Sequence, residues 1–153
     1  MATVISLKEV IDAIEVQMDE SVSYLNPDTG EIIAVGEEER TIVEEERGEE
    51  EIPQWQQEMM PKIRQALKSD KMLVLPTKFD VHEWSIMQQF ALAQKDERTA
   101  RELNDAVHGA GAFRMFRSAI RRLGIEQNWY NFRNEALKRI AIEWLEEHQL
   151  RYK

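Results

Sequence analysis

An α+β fold is the class this sequence predicts: an N-terminal helix and a small antiparallel β-hairpin or three-stranded sheet, followed by a mainly helical C-terminal part. Three observations lead there. Leu7, Val10, Ile11, Ile14 and Met18 recur at helical spacing near the start. Two short β-favouring runs, residues 21–25 and 31–35, then flank the turn-forming Asn26-Pro27-Asp28-Thr29-Gly30. From residue 80 onward, apolar stripes of helical period alternate with capping residues and glycines.

The first helix spans residues 7–18. Ser6-Leu7-Lys8-Glu9 reads as a capping box, with Ser6 accepting from a free helical N–H. In the hairpin that follows, Pro27 sets φ for the turn, Asp28 can accept from nearby backbone N–H groups, and Gly30 can take a positive φ. An isolated hairpin is marginal in water, so it must pack on helices or gain a third strand.

Residues 37–51 hold nine glutamates and two arginines, a local net charge of −7. Within them Thr41-Ile42-Val43 is a candidate third strand, in a segment otherwise read as a solvated loop or edge strand. A second reading makes the segment an acidic cover for the arginine-rich helix described below.

Residues 53–69 are predicted helical with a break at Pro61, placing Met60, Ile63 and Leu67 inward. Residues 72–76 are too short an apolar run for a helix and read as a strand or connector. Asp80-Val81-His82-Glu83 resembles another capping box, starting a helix whose stripe is Val81, Trp84, Met87, Phe90 and Ala91. Asp96 caps the next helix, with Ala100, Leu103 and Val107 inward and a stop near Gly109. Phe113, Phe116, Ile120 and Leu123 then share one helical face, and Gly124 ends that helix. Trp129, Phe132, Ala136, Leu137, Ile140, Ala141, Trp144 and Leu145 form the stripe of the last and longest helix.

At 153 residues the chain is expected to be one domain. Residues 1–52 would hold the helix, hairpin and acidic segment, and residues 53–150 the helical part. It has no cysteine, so neither disulfides nor thiolate metal ligands contribute, as suits a reducing compartment. The N-terminus lacks the basic-then-apolar order of a signal peptide, and no apolar run reaches the roughly 18 residues of a membrane span. A soluble cytoplasmic protein without a membrane partner is expected. The net charge of −9 is unevenly spread: residues 1–70 carry 18 acidic and 6 basic side chains, residues 71–153 carry 11 and 14. Acidity therefore belongs to the N-terminal half, and the C-terminal half is mildly basic.

Five segments together resemble a bacterial uncharacterised protein family of the UPF type. They are Tyr24-Leu25-x-x-x-Thr29-Gly30-Glu31, Trp84-x-x-Met87-x-x-Phe90, Gly109-x-Gly111-Ala112-Phe113-Arg114-x-Phe116, Trp129-Tyr130-x-Phe132 and Glu143-Trp144-Leu145. The resemblance covers nearly the whole chain. Ala110 and Met115 depart from the pattern, standing where members often carry a basic residue. The resemblance implies a cytoplasmic location and no assigned activity.

The candidate site lies in the Gly-x-Gly segment and the helix after it. Gly109 and Gly111 form a turn whose free backbone N–H groups could meet an anion, with Arg114 able to fork onto it. The competing reading is simply close packing of two helices across a short turn. Arg114, Arg117 and Arg121, spaced i, i+3, i+7, share one face, and Tyr130 is the nearby aromatic free to stack. These six residues are the predicted binding set. No catalytic residues are assigned: His82, His108 and His148 are scattered, and no His-Glu-x-x-His pattern or Asp-rich calcium loop occurs. No cofactor or metal is expected, and an enzyme is the less favoured reading. The leading expectation is a non-catalytic intracellular binding or regulatory protein whose Arg face engages an acidic protein segment. Nucleic-acid binding by that face is the alternative, and hydrolysis of a phosphorylated small molecule the second alternative.

Overall fold

The computed structural model describes residues 3–16 and 21–153. The fold is α+β, and the chain divides into two compact units, Met1–Asp80 with Ile140–Lys153, and Val81–Arg139.

In the first unit, strand β1 (Val4–Ile5) pairs in parallel with β5 (Arg151–Tyr152), so the two ends of the chain share one ladder. Helix α1 (Leu7–Glu15) follows, with the Ser6 hydroxyl accepting from the Glu9 N–H at 3.2 Å. Val10 and Ile14 are its buried residues; Met18, predicted to extend that stripe, lies outside the described residues. Strands β2 (Ser21–Leu25) and β3 (Ile32–Gly36) form the antiparallel hairpin. Its loop is locked by Asn26, whose side chain accepts from the Asp28 N–H at 2.9 Å, and by Gly30 at φ +79°. The side-chain acceptor is thus Asn26, two positions before the Asp28 that sequence reasoning favoured.

The third strand is not in the acidic segment. Residues Glu37–Glu45 form helix α2, which replaces the predicted strand at Thr41-Ile42-Val43. Gly36 supplies an extended N-cap, and its N–H donates to the Glu39 carboxylate at 3.3 Å. Glu37, Glu38 and Glu39 then sit at the positive end of the helix dipole, where negative charge is favourable. Ile42 is the one buried residue of α2, and Val43 packs partly buried against the same apolar cluster. The strand role falls instead to β4 (Leu73–Val74), antiparallel to β2, giving the order β3-β2-β4. Leu75 N–H adds a bond to Ser23 O at 2.9 Å.

Helix α3 (Gln54–Lys68) runs unbroken through Pro61, contrary to the predicted break. Pro61 is on the exposed face, while Met60, Ile63 and Ala66 are buried, so inward packing holds the helix across the missing N–H. Those three residues join Ile33, Val35, Ile42 and Ile52 in the unit's main apolar cluster, with Leu67 partly buried beside it.

Helix α4 (Lys78–Val81) corrects a second expectation. Its capping box is Thr77-x-x-Asp80: Thr77 Oγ1 accepts from the Asp80 N–H, and Asp80 Oδ2 accepts from the Thr77 N–H at 2.9 Å. Asp80 therefore belongs inside a first turn rather than at the cap of the following helix. His82, at φ +51°, separates α4 from α5 (Glu83–Leu92).

The second unit contains α5, α6 (Glu97–His108), α7 (Ala112–Arg122) and residues 126–139 of α8 (Glu126–Glu147). Asp96 caps α6 as predicted, accepting from the Thr99 N–H at 3.0 Å. The core is aromatic. Phe116 meets Trp129 at 4.8 Å between ring centres and Phe90 at 6.1 Å, both edge-on. Phe90 in turn meets Trp129 at 5.4 Å and Phe132 at 5.3 Å.

Two outcomes test these assignments. Because Thr41 is exposed in a helix, Thr41→Ala should raise stability in urea unfolding by about 0.5 kcal/mol, whereas a strand would lose stability from the same change. The Asp96 carboxyl is held below the usual aspartate range, first by the Thr99 backbone N–H and then by its hydroxyl. A depressed acid stabilises the fold above its unfolded pKa and loses that contribution as pH falls through its folded value. Asp96→Asn should accordingly flatten the decline of melting temperature in the acid region below the ordinary aspartate pKa of about 3.9.

Candidate functional site

The six predicted binding residues all fall in the second unit, along the α6–α7 turn, helix α7 and the start of α8. Helix α6 ends at His108, whose Nδ1–H donates to Asn104 O at 2.8 Å, one turn back. The two glycines that follow have different duties. Gly109 is extended (φ −93°, ψ 173°), a conformation open to other residues. Gly111 is the N-cap of α7 at φ +66°, in the left-handed region that strongly favours glycine.

Arg114 folds back over this turn. Its Nη2 lies 3.7 Å from the position a Cβ on Gly111 would occupy. A guanidinium thus stands beside the positive end of the helix, with no carboxylate partner among the described residues. Arg117, one turn on, is also exposed and unpaired among the described residues. Arg121 is different: its Nε lies 3.3 Å from Glu126 Oε1, at the first residue of α8. Both side chains are largely exposed, so this pair contributes little and exchanges readily with an incoming carboxylate. From Arg114 to Arg121 the helix advances roughly 10 Å.

The apolar side of α7 departs from expectation at one end. Phe116, Ala119 and Ile120 are buried, but Phe113 is 49% exposed. Burial of Phe116 against Phe90 and Trp129 already fills the core, leaving Phe113 at the margin beside Arg117, its i+4 neighbour. Met115 is likewise half exposed, on the other flank. Tyr130 is 47% exposed, as anticipated, and lies one turn beyond Glu126 on α8. The face of α7 therefore carries two arginines unpaired among the described residues, a third loosely paired, and the half-exposed Phe113 ring near its start. Phe113 was missed because its spacing fits the buried stripe; only the packing order at the helix start distinguishes it.

Two neighbouring arginines share one carboxylate, whereas Lys95, Arg101, Lys138 and Arg139 are exposed without an ion pair among the described residues. Glu102 takes Arg98 at 3.4 Å and Arg122 at 3.6 Å. Spacing did not reveal the most enclosed ion pair of this unit, Arg133 Nε to Glu83 Oε1 at 2.6 Å, with side chains 17% and 29% exposed. It joins α8 to the first turn of α5 across 50 residues of sequence, a separation that no local pattern encodes. Trp84 sits beside it in α5, donating its indole N–H to Val107 O at 2.8 Å. His82 and His108 flank Trp84 at ring distances of 6.4 and 5.7 Å. These two histidines are thus closer in space than their scatter in sequence suggested. Among the described residues, no group of three or more His, Cys, Asp or Glu converges as a metal ion requires.

The acidic segment belongs to the first unit. Its charges are answered locally: Glu49 pairs with Arg64, Glu45 with Arg47, and Glu39 accepts from the Gln56 side chain at 3.1 Å. Division into units separates charge cleanly. Val81–Arg139 holds 10 basic and 7 acidic side chains, a net +3, while the remaining residues hold 10 and 22, a net −12. No helix among the described residues is long and apolar enough to cross a membrane.

Comparison with known proteins gives one match: the model of the Uncharacterised protein family (UPF0158), over residues 2–153. No curated protein and no solved structure matches the chain.

The Glu83–Arg133 pair yields a direct test. Glu83→Gln leaves a partly enclosed guanidinium short of its carboxylate and should lower unfolding stability by about 1–3 kcal/mol. An unchanged urea midpoint would show the pair to be dispensable.

Proposed function

We infer that this chain, which belongs to the Uncharacterised protein family (UPF0158), is a non-catalytic binding or regulatory protein that engages an acidic partner segment through the Arg114, Arg117 and Arg121 face. One observation supports this reading above others. Arg114 and Arg117 stand exposed without a carboxylate partner among the described residues, although carboxylates outnumber cations by nine over the whole sequence. Unmatched guanidinium groups in so acidic a protein offer an acidic segment a docking strip that the rest of the surface repels. Arginine suits the task, since its planar fork accepts a carboxylate in bidentate fashion. Phe113 supplies an apolar contact at the margin of the strip, and the Gly109–Gly111 turn lets a partner approach Arg114 closely.

A cytoplasmic setting, consistent with the absence of cysteine, fits this role. Nucleic-acid binding by the same face is the second reading, favoured by the exposed Tyr130 ring on α8 and opposed by the net charge of −9.

The test compares two charge-matched variants. Arg114→Gln with Arg117→Gln and Arg121→Gln should weaken binding of a labelled polyglutamate peptide by about 10- to 100-fold, the sum expected of three exposed pairs. Lys95→Gln with Lys138→Gln and Arg139→Gln removes equal charge outside the face and should change it little. Equal losses would remove the face from consideration. Single-stranded DNA bound at low salt and released steeply with added salt would shift the reading to nucleic acid.

A further inference from the structure

A groove in the first unit, remote in chemistry from the arginine face, shows the opposite preference. It has a volume of about 450 Å³ and is lined by Val74, Leu75 and Pro76, by Asp80 of α4, and by Ile140, Glu143, Trp144 and Glu147 of α8. That volume lies within the range of about 300–1,000 Å³ common to ligand clefts. Its floor is apolar: Leu75 is 1% and Trp144 8% exposed. Trp144 is held in place, donating its indole N–H to Val74 O at 3.1 Å and packing on the His148 ring at 4.5 Å. Since that N–H is already used, the indole can offer the groove only ring surface.

The rim is anionic. Glu143 and Glu147 are one helical turn apart, both exposed, and neither has a hydrogen bond or ion pair among the described residues. Asp80 is oriented by Thr77, whose N–H and hydroxyl both reach its Oδ2. No lysine or arginine lines the groove. Val74 of the lining is 46% exposed, and Phe79, the chain neighbour of Asp80, is 93% exposed.

We propose that this groove binds a basic peptide segment, seating a lysine or arginine between Asp80, Glu143 and Glu147 with its hydrocarbon stem over Trp144. The combination of surfaces selects that occupant. A bare metal ion lacks a convergent set of ligands. A purely apolar ligand would desolvate three carboxylates without compensation. A basic side chain matches both parts, because its stem covers apolar surface while its charged head stays at the rim. Apolar residues flanking it in a peptide would also cover Val74 and Phe79, which a small polyamine would leave in water.

The experiment titrates a short labelled peptide of alternating lysine and leucine into the full chain and reads fluorescence anisotropy. Glu143→Gln with Glu147→Gln should weaken binding about tenfold, as two exposed pairs predict. Glu38→Gln with Glu44→Gln removes the same charge from exposed positions of α2 and should change affinity less than about twofold. Four exposed glutamates are altered in all, so both variants should fold. Spermidine should compete weakly. Equal losses in the two variants, no binding by the wild-type chain, or spermidine binding as tightly as the peptide would each overturn the proposal.

Discussion

Four rings in the second unit, Phe90, Phe116, Trp129 and Phe132, meet at centre distances of 4.8 to 6.1 Å, and the arrangement of its helices depends on them. Each comes from α5, α7 or α8, so one cluster sets the rotation of three helices about their own axes. Edge-on packing of this kind is directional as well as apolar, and it resists sliding in a way that aliphatic contacts do not. Once Phe116 is seated, the arginines at positions 114, 117 and 121 have no choice but to point away from the core. The exposed arginine face is therefore a geometric consequence of burying one phenylalanine.

Charge follows the same division. The unit that holds the arginines is net positive and the other strongly negative, although chain order alone would draw the boundary elsewhere. Within each, local ion pairs absorb much of the charge: Glu102 takes two arginines, and Glu49 and Glu45 each take one. Arg114, Arg117, Glu143 and Glu147 are among the described charged groups that stand outside such pairs. Arg114 and Arg117 in one unit, and Glu143 and Glu147 in the other, lie beside exposed or groove-lining apolar groups. Both are suited to recognition of a charged segment that also carries hydrocarbon.

Much of the helical part was legible because its signals are local. Ser6 and Asp96 cap helices as their spacing implied, and most of the predicted stripes of α6 and α8 are buried, with Ala100, Phe132 and Ile140 partly so and Ala106 added. Such features depend on neighbours within one or two turns, and a single sequence contains them in full. The acidic segment misled for a related reason. Thr41-Ile42-Val43 has β-branched content, but three glutamates at a helix N-terminus and a Gly36 cap outweigh it. At Pro61 the balance went the other way, with burial of Met60 and Ile63 overriding a local breaker.

The amino-acid order by itself determined the fold class, most helix positions, a glycine turn at 109–111 and the amphipathic character of α7. Each arises from backbone preference or from periodicity along one element. Only the tertiary structure decided which strand joins the hairpin, that Phe113 stays at the surface, that Glu83 holds Arg133, and which arginines remain without a carboxylate. Those outcomes depend on which distant side chains arrive first at a shared space, and such competition has no record in local spacing.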